Sequence, residues 1–145
     1  MDINSLLREL QDKDHTVAYA ALKKLLELNE NSDELYCHYP LFSALLTSNN
    51  SYVRTRGFTL IAANAQWDRE NKIENDIDKI LSFLSGKKPL EVRQCIKALA
   101  QIGKSKRSLR KKIIDALSRV DTTKFSSSLA PLLKRELDEA FKFIG

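Results

Sequence analysis

From Leu6 to Ile144 the apolar residues of this chain recur every three or four positions, and no stretch alternates polar with apolar as a half-buried strand must. The pattern runs through 145 residues that include only four glycines and three prolines, so there are few places for sharp turns. It predicts an all-α protein of long helices. The length falls in the usual single-domain range and predicts one domain over residues 1–145. A hydrophobic content of 43% and a charged content of 30% suit a packed core and exclude a disordered chain.

Eight helical segments follow from the spacing. Leu6, Leu7 and Leu10 mark a short first helix; Val17, Ala21, Leu25 and Leu28 mark a second, over about 14–30, with Asp14 as its N-cap. Residues 33–47 are helical but interrupted, with a turn to His38 and a fresh start at Pro40. A fourth helix spans about 50–66, opened by Asn49 or Asn50. A fifth is capped by Asp68 and carries Ile73, Ile77, Ile80 and Leu84. A sixth runs from Lys87-Lys88-Pro89 to Gly103, a seventh is capped by Ser105, and the last is capped by Ser128 with Pro131 in its first turn.

No apolar run approaches the roughly 18 residues of a membrane helix. The start Met1-Asp2-Ile3-Asn4 shows no basic-then-apolar leader, and Cys37 and Cys95 stand far apart. A cytoplasmic protein with reduced thiols is expected, with a disulfide between the two cysteines as the lesser alternative.

Three places share one arrangement: an apolar helix end, a polar turn, then a valine opening the next helix. They are Leu10 to Val17, Leu46 to Val53 and Leu84 to Val92, with the valines 36 and 39 residues apart. Val53-Arg54 and Val92-Arg93 repeat a dipeptide, and Ala21 and Gly57, four positions after their valines, are small. Val92-Arg93-Gln94-Cys95-Ile96-Lys97-Ala98-Leu99 resembles the second helix of a HEAT repeat. The stretch Asn64-Ala65-Gln66-Trp67-Asp68 and the ending Leu129-Ala130-Pro131-Leu132-Leu133 are similar to those of small stand-alone bacterial HEAT-repeat proteins, a group without an assigned activity. The resemblance covers nearly the whole chain. It implies an α-α superhelix of the HEAT/armadillo kind, with about three to four stacked helix pairs.

The resemblance also implies a use. Second helices of such repeats line a concave surface that holds a peptide or a folded partner. Outward positions there would be Tyr19 and Lys23, Thr55 and Thr59, and Gln94, Lys97 and Gln101. One enzyme class of similar architecture, the glycosylases that excise alkylated DNA bases, uses tryptophan, aspartate and arginine in its cleft. Trp67-Asp68-Arg69 are consecutive at a helix junction and do not match that pattern. No catalytic role is carried over, and Trp67 is expected to pack while Asp68 satisfies helix amides.

The charge map supplies the competing reading. Residues 1–86 hold 9 Lys/Arg against 13 Asp/Glu, whereas residues 87–135 hold 14 against 3. A stretch so basic suits a phosphate-bearing or acidic partner. Its centre is the start of the seventh helix, with Lys104, Lys106, Arg107, Arg110 and Lys111 clustered and Arg93 and Lys97 on the helix before. With Leu109, Ile113 and Leu117 inward, Arg107 and Lys111 point out. Cations in a first turn oppose the helix dipole, and a bound anion would reverse that disadvantage. Without interleaved aromatics the cluster suits a phosphate backbone better than stacked bases.

Nothing in the sequence reads as catalytic, metal-binding or cofactor-binding. His15 and His38 have no nucleophile and carboxylate at a telling spacing. Neighbouring Cys37 and His38 diverge by about 100° on a helix, so Cys37 is expected to be a small core residue. No glycine-rich phosphate loop or paired-cysteine pattern occurs.

Overall fold

The computed structural model describes residues 2–145; Met1, where the leader reading begins, lies outside the described residues. They form eight α-helices, with no strand: α1 (Ile3–Glu9), α2 (His15–Asn31), α3 (Tyr39–Leu45), α4 (Ser51–Ala63), α5 (Ile73–Ser82), α6 (Pro89–Ser105), α7 (Arg107–Ser118) and α8 (Ala130–Ile144). Short 3₁₀ turns at Tyr36–His38, Ala65–Trp67, Phe83–Ser85 and Thr122–Lys124 join them. Among these residues no helix is long and apolar enough to cross a membrane.

Several starts are set by side chains that the sequence identifies. The Asp14 carboxylate accepts the amide of Thr16 at 2.9 Å, and the Asn50 carbonyl accepts that of Tyr52 at 2.8 Å. Pro40 sits in the first turn of α3, where its missing N–H costs nothing. Asp68 caps α5 from outside: the helix begins at Ile73, and the carboxylate reaches the amides of Lys72 (2.9 Å) and Ile73 (3.1 Å).

Several boundaries differ from expectation: α4 ends at Ala63, short of 66, and α5 begins at Ile73 with Lys72 in the N-cap position and stops before Leu84. α6 does not stop at Gly103 but continues to Ser105, because Gly103 is a packing residue: a Cβ there would lie 3.2 Å from Ile144 Cδ1. The residue that breaks the helix is Lys106, extended at φ −118°, ψ 96°; it replaces Ser105 as the N-cap of α7. Leu129, not Ser128, precedes α8, and neither Lys106 nor Leu129 makes a side-chain capping bond. Cys37 is exposed rather than in the core, since the 3₁₀ turn that carries it buries Tyr36 instead. Cys95 is buried, and both thiols are free.

The even-numbered helices adjoin in order, α2 against α4, α4 against α6 and α6 against α8, while α1, α3 and α7 pack on α2, α4 and α6. Val17, Val53 and Val92 all lie in or beside the first turn of α2, α4 and α6. One continuous core includes Leu25, Phe42, Phe58, Ile61, Ile80, Leu99 and Ile113, each contributing about 1.5–3 kcal/mol by leaving water. Gly57 sits at a close helix crossing: a Cβ there would stand 2.9 Å from Leu45 Cβ and 3.0 Å from the Phe42 carbonyl. Only a glycine lets α3 lie this near α4.

Candidate functional site

Polar side chains bridge successive even-numbered helices. Arg54 on α4 holds Glu91 on α6 through two bonds, Nε to Oε2 at 2.7 Å and Nη2 to Oε1 at 2.9 Å. One helix further on, Arg93 Nε reaches Glu136 Oε1 on α8 at 2.7 Å, with Lys97 4.0 Å from the other oxygen. The two arginines are those that follow Val53 and Val92. Both glutamates are buried, so each clasp satisfies a carboxylate that could not remain alone in the core. Arg93 is thus a bridging residue and not a free anion-binding one.

The cluster at the start of α7 is also largely engaged within the molecule. Lys106 is buried, and its Nζ lies 2.7 Å from Asp68 Oδ2, 2.8 Å from Asn71 Oδ1 and 2.7 Å from Glu74 Oε1. It is therefore a correction to the expected cluster: the acidic residues it needs come from the turn before α5 and from α5 itself. Asn71 takes a left-handed backbone (φ 55°) to present its carbonyl there, a conformation asparagine tolerates. Burial raises the Asp68 carboxyl, but hydrogen bonds from Lys106, Tyr36 and the Ile73 and Lys72 amides outweigh it and leave the group below its usual value. Burial and the bond to Asp68 push the Tyr36 phenol up to about 12.

Arg110 is half-buried and donates to the carbonyls of Gly103 (2.9 Å) and Lys104 (3.1 Å), closing the C-terminal end of α6. Lys111 pairs with Asp115 and Lys112 with Asp78. Among the described residues no carboxylate lies within 4.0 Å of the exposed Lys104 and Arg107, and Lys104 stands 5.8 Å over the Phe143 ring.

Of the residues expected on a concave surface, Tyr19, Thr55, Thr59 and Gln94 come together in one groove. A groove of about 760 Å³ runs across α2, α4 and α6, lined by Tyr19, Leu22 and Leu26, by Tyr52, Thr55 and Thr59, and by Leu90 and Gln94. Lys23 lies 5.7 Å from the Tyr19 ring. Lys97 and Gln101 line a second groove between α6 and α8, with Ile96, Ala100, Ala140 and Phe143. The large apolar side chains most exposed to water concentrate here: Tyr19 60%, Tyr52 51% and Leu90 50% in the first groove, Phe143 52% in the second. Leu28 lies elsewhere.

Tyr52, Leu90 and Phe143 are absent from the sequence-derived set. Each is apolar but lies off the inward stripe of its helix, and that mismatch is the signal that could have found them. His15 Nδ1 accepts from Arg56 Nη2 at 2.9 Å in the groove wall.

Among the described residues no three His, Cys, Asp or Glu side chains are placed to hold a metal ion. Cys95 lies under α5, its Sγ 3.3 Å from the Ile80 carbonyl, and burial holds the thiol protonated. Trp67 donates its Nε1 to the Asn29 carbonyl at 3.0 Å, joining the turn after α4 to the end of α2. The chain matches no family model, no curated protein and no solved structure.

Proposed function

We propose that this protein is a non-enzymatic binding module, a scaffold that holds a protein or peptide on the face carried by α2, α4, α6 and α8. In this reading those helices are the inner layer of a short HEAT-like α-α superhelix of three to four stacked pairs. Their contacts in chain order support it, as does the repeated clasp of Arg54 with Glu91 and Arg93 with Glu136. The observation that carries the functional reading is the gathering of Tyr19, Tyr52 and Leu90 in one groove. A monomer gains nothing from holding three large apolar side chains half in water side by side. Two free thiols suit a reducing compartment such as the cytoplasm.

A phosphate-backbone partner is the second reading. It rests on Lys104 and Arg107, exposed and without carboxylate partners at the α6–α7 junction. The two are separated by affinity capture with and without nuclease, using wild type beside Tyr52→Ala/Leu90→Asp. The scaffold reading expects a protein retained after nuclease treatment and lost with the double variant. Retention by the variant, or loss with nuclease alone, contradicts it.

A further inference from the structure

The groove has a charge imbalance that its own chain does not correct. Arg56 forms part of its wall and is only 6% exposed, yet its guanidinium meets two neutral acceptors, the Leu10 carbonyl at 2.8 Å and His15 Nδ1 at 2.9 Å. Among the described residues no carboxylate lies within 4.0 Å of it. Buried arginines are ordinarily paired, because a desolvated charge without a counter-charge is costly. Lys88, at the same end of the groove, is exposed and has only the Ser51 hydroxyl, 3.5 Å away. The one carboxylate lining the groove, Glu91, has both oxygens held by Arg54 and is already neutralised.

The uncharged remainder of the lining mixes the neutral polar Ser51, Thr55, Thr59 and Gln94 with large apolar side chains, Leu22 and Leu26 on α2, Leu90 on α6, and the rings of Tyr19 and Tyr52. We propose that the occupant of this groove is an acidic peptide segment, whose large apolar side chains cover Tyr19, Tyr52 and Leu90 and whose carboxylates answer Arg56 and Lys88. The proposal rests on the scaffold reading and names the chemistry of its partner. A nucleic acid fits the groove less well: a phosphate chain needs a row of free cations, and the lining offers only Lys88 beside the buried Arg56.

The test pans a random 12-residue peptide library on the full chain and removes every clone that also binds Tyr52→Ala/Leu90→Asp. Both substituted side chains are half exposed, and circular dichroism checks that the variant stays helical. The proposal expects the remaining peptides to be net negative with at least two large apolar residues. A synthesised winner should bind Lys88→Glu and Arg56→Met at least tenfold more weakly than wild type; exposed Lys88 keeps the test open should Arg56→Met fail to fold. Groove-dependent peptides that are neutral or basic overturn the proposal and leave the scaffold reading standing. An absence of groove-dependent peptides overturns both. A 15-nucleotide single strand of DNA or RNA that displaces the winner at lower concentration than the peptide itself replaces the peptide with a nucleic acid.

Discussion

Lys106 Nζ and Asp68 Oδ2 stand 2.7 Å apart, with the two side chains 7% and 0% exposed. The lysine arrives from the α6–α7 junction and the aspartate from the turn before α5, so the pair ties the two halves of the chain's charge map together. Lys106→Met leaves Asp68 buried without its cation and also deprives Glu74. Removing one member of a buried pair typically costs about 3–5 kcal/mol. In a domain of this size the melting temperature should fall by on the order of 10 °C. A variant that melts with wild type would contradict the pairing.

The same pair sets an acid limb. Asp68 titrates below its usual 3.8 in the folded protein, so between the two values the unfolded chain binds more protons and stability rises with pH. Its contribution is complete above about pH 5 and is lost as pH falls through 4 and below. Urea unfolding between pH 7 and pH 3 should show this loss in wild type, and a shallower one in Lys106→Met. An equal acid slope in both proteins would remove Lys106 as a cause.

Gly57→Ala isolates the α3–α4 approach. Alanine is the better helix former by about 1 kcal/mol, but its Cβ would lie 2.9 Å from Leu45 Cβ and 3.0 Å from backbone oxygen at Phe42. Overpacking of this kind costs about 1–3 kcal/mol, and Gly57→Leu should cost more. Calorimetry should find both variants less stable than wild type. A raised melting temperature for Gly57→Ala would show that the helices part without penalty.

The clasp between Arg54 and Glu91 should behave as one unit. Arg54→Met strands a buried glutamate and should cost about 1–3 kcal/mol, whereas Arg54→Met/Glu91→Met should cost less than the two single changes added together. A double-mutant cycle reads the coupling directly; strict additivity would mean the two bonds are not made in solution.

These contrasts mark how far the sequence could be read. Helix number, the Asp14, Asn50 and Pro40 starts and the role of Asp68 follow from local rules, because spacing and capping are properties of neighbouring residues. The fate of the basic stretch is not local. Lys106, Lys112 and Arg93 are neutralised by Asp68 and Glu74, by Asp78 and by Glu136, partners 32 to 43 residues away in sequence. Counting charge along residues 87–135 therefore overstated the exposed positive face. Arg110 is likewise placed by a contact that local spacing does not show: its guanidinium returns to the end of α6, where the Gly103 and Lys104 carbonyls lack helical partners. Arg110→Ala should accordingly lower the melting temperature more than Arg107→Ala or Lys111→Ala, whose side chains stay in water.

The central claim, that the face of α2, α4 and α6 holds a protein while the start of α7 does not, is most directly tested by site-specific photocrosslinking in the producing cells. A benzophenone amino acid would replace Tyr19, Tyr52 or Leu90 in the groove and Arg107 or Lys111 on α7, with nuclease added after irradiation. The account predicts one discrete, nuclease-resistant protein adduct from the three groove positions and none from the two on α7. Adducts formed only at 107 and 111, and lost with nuclease, would contradict it and assign the partner to the phosphate backbone.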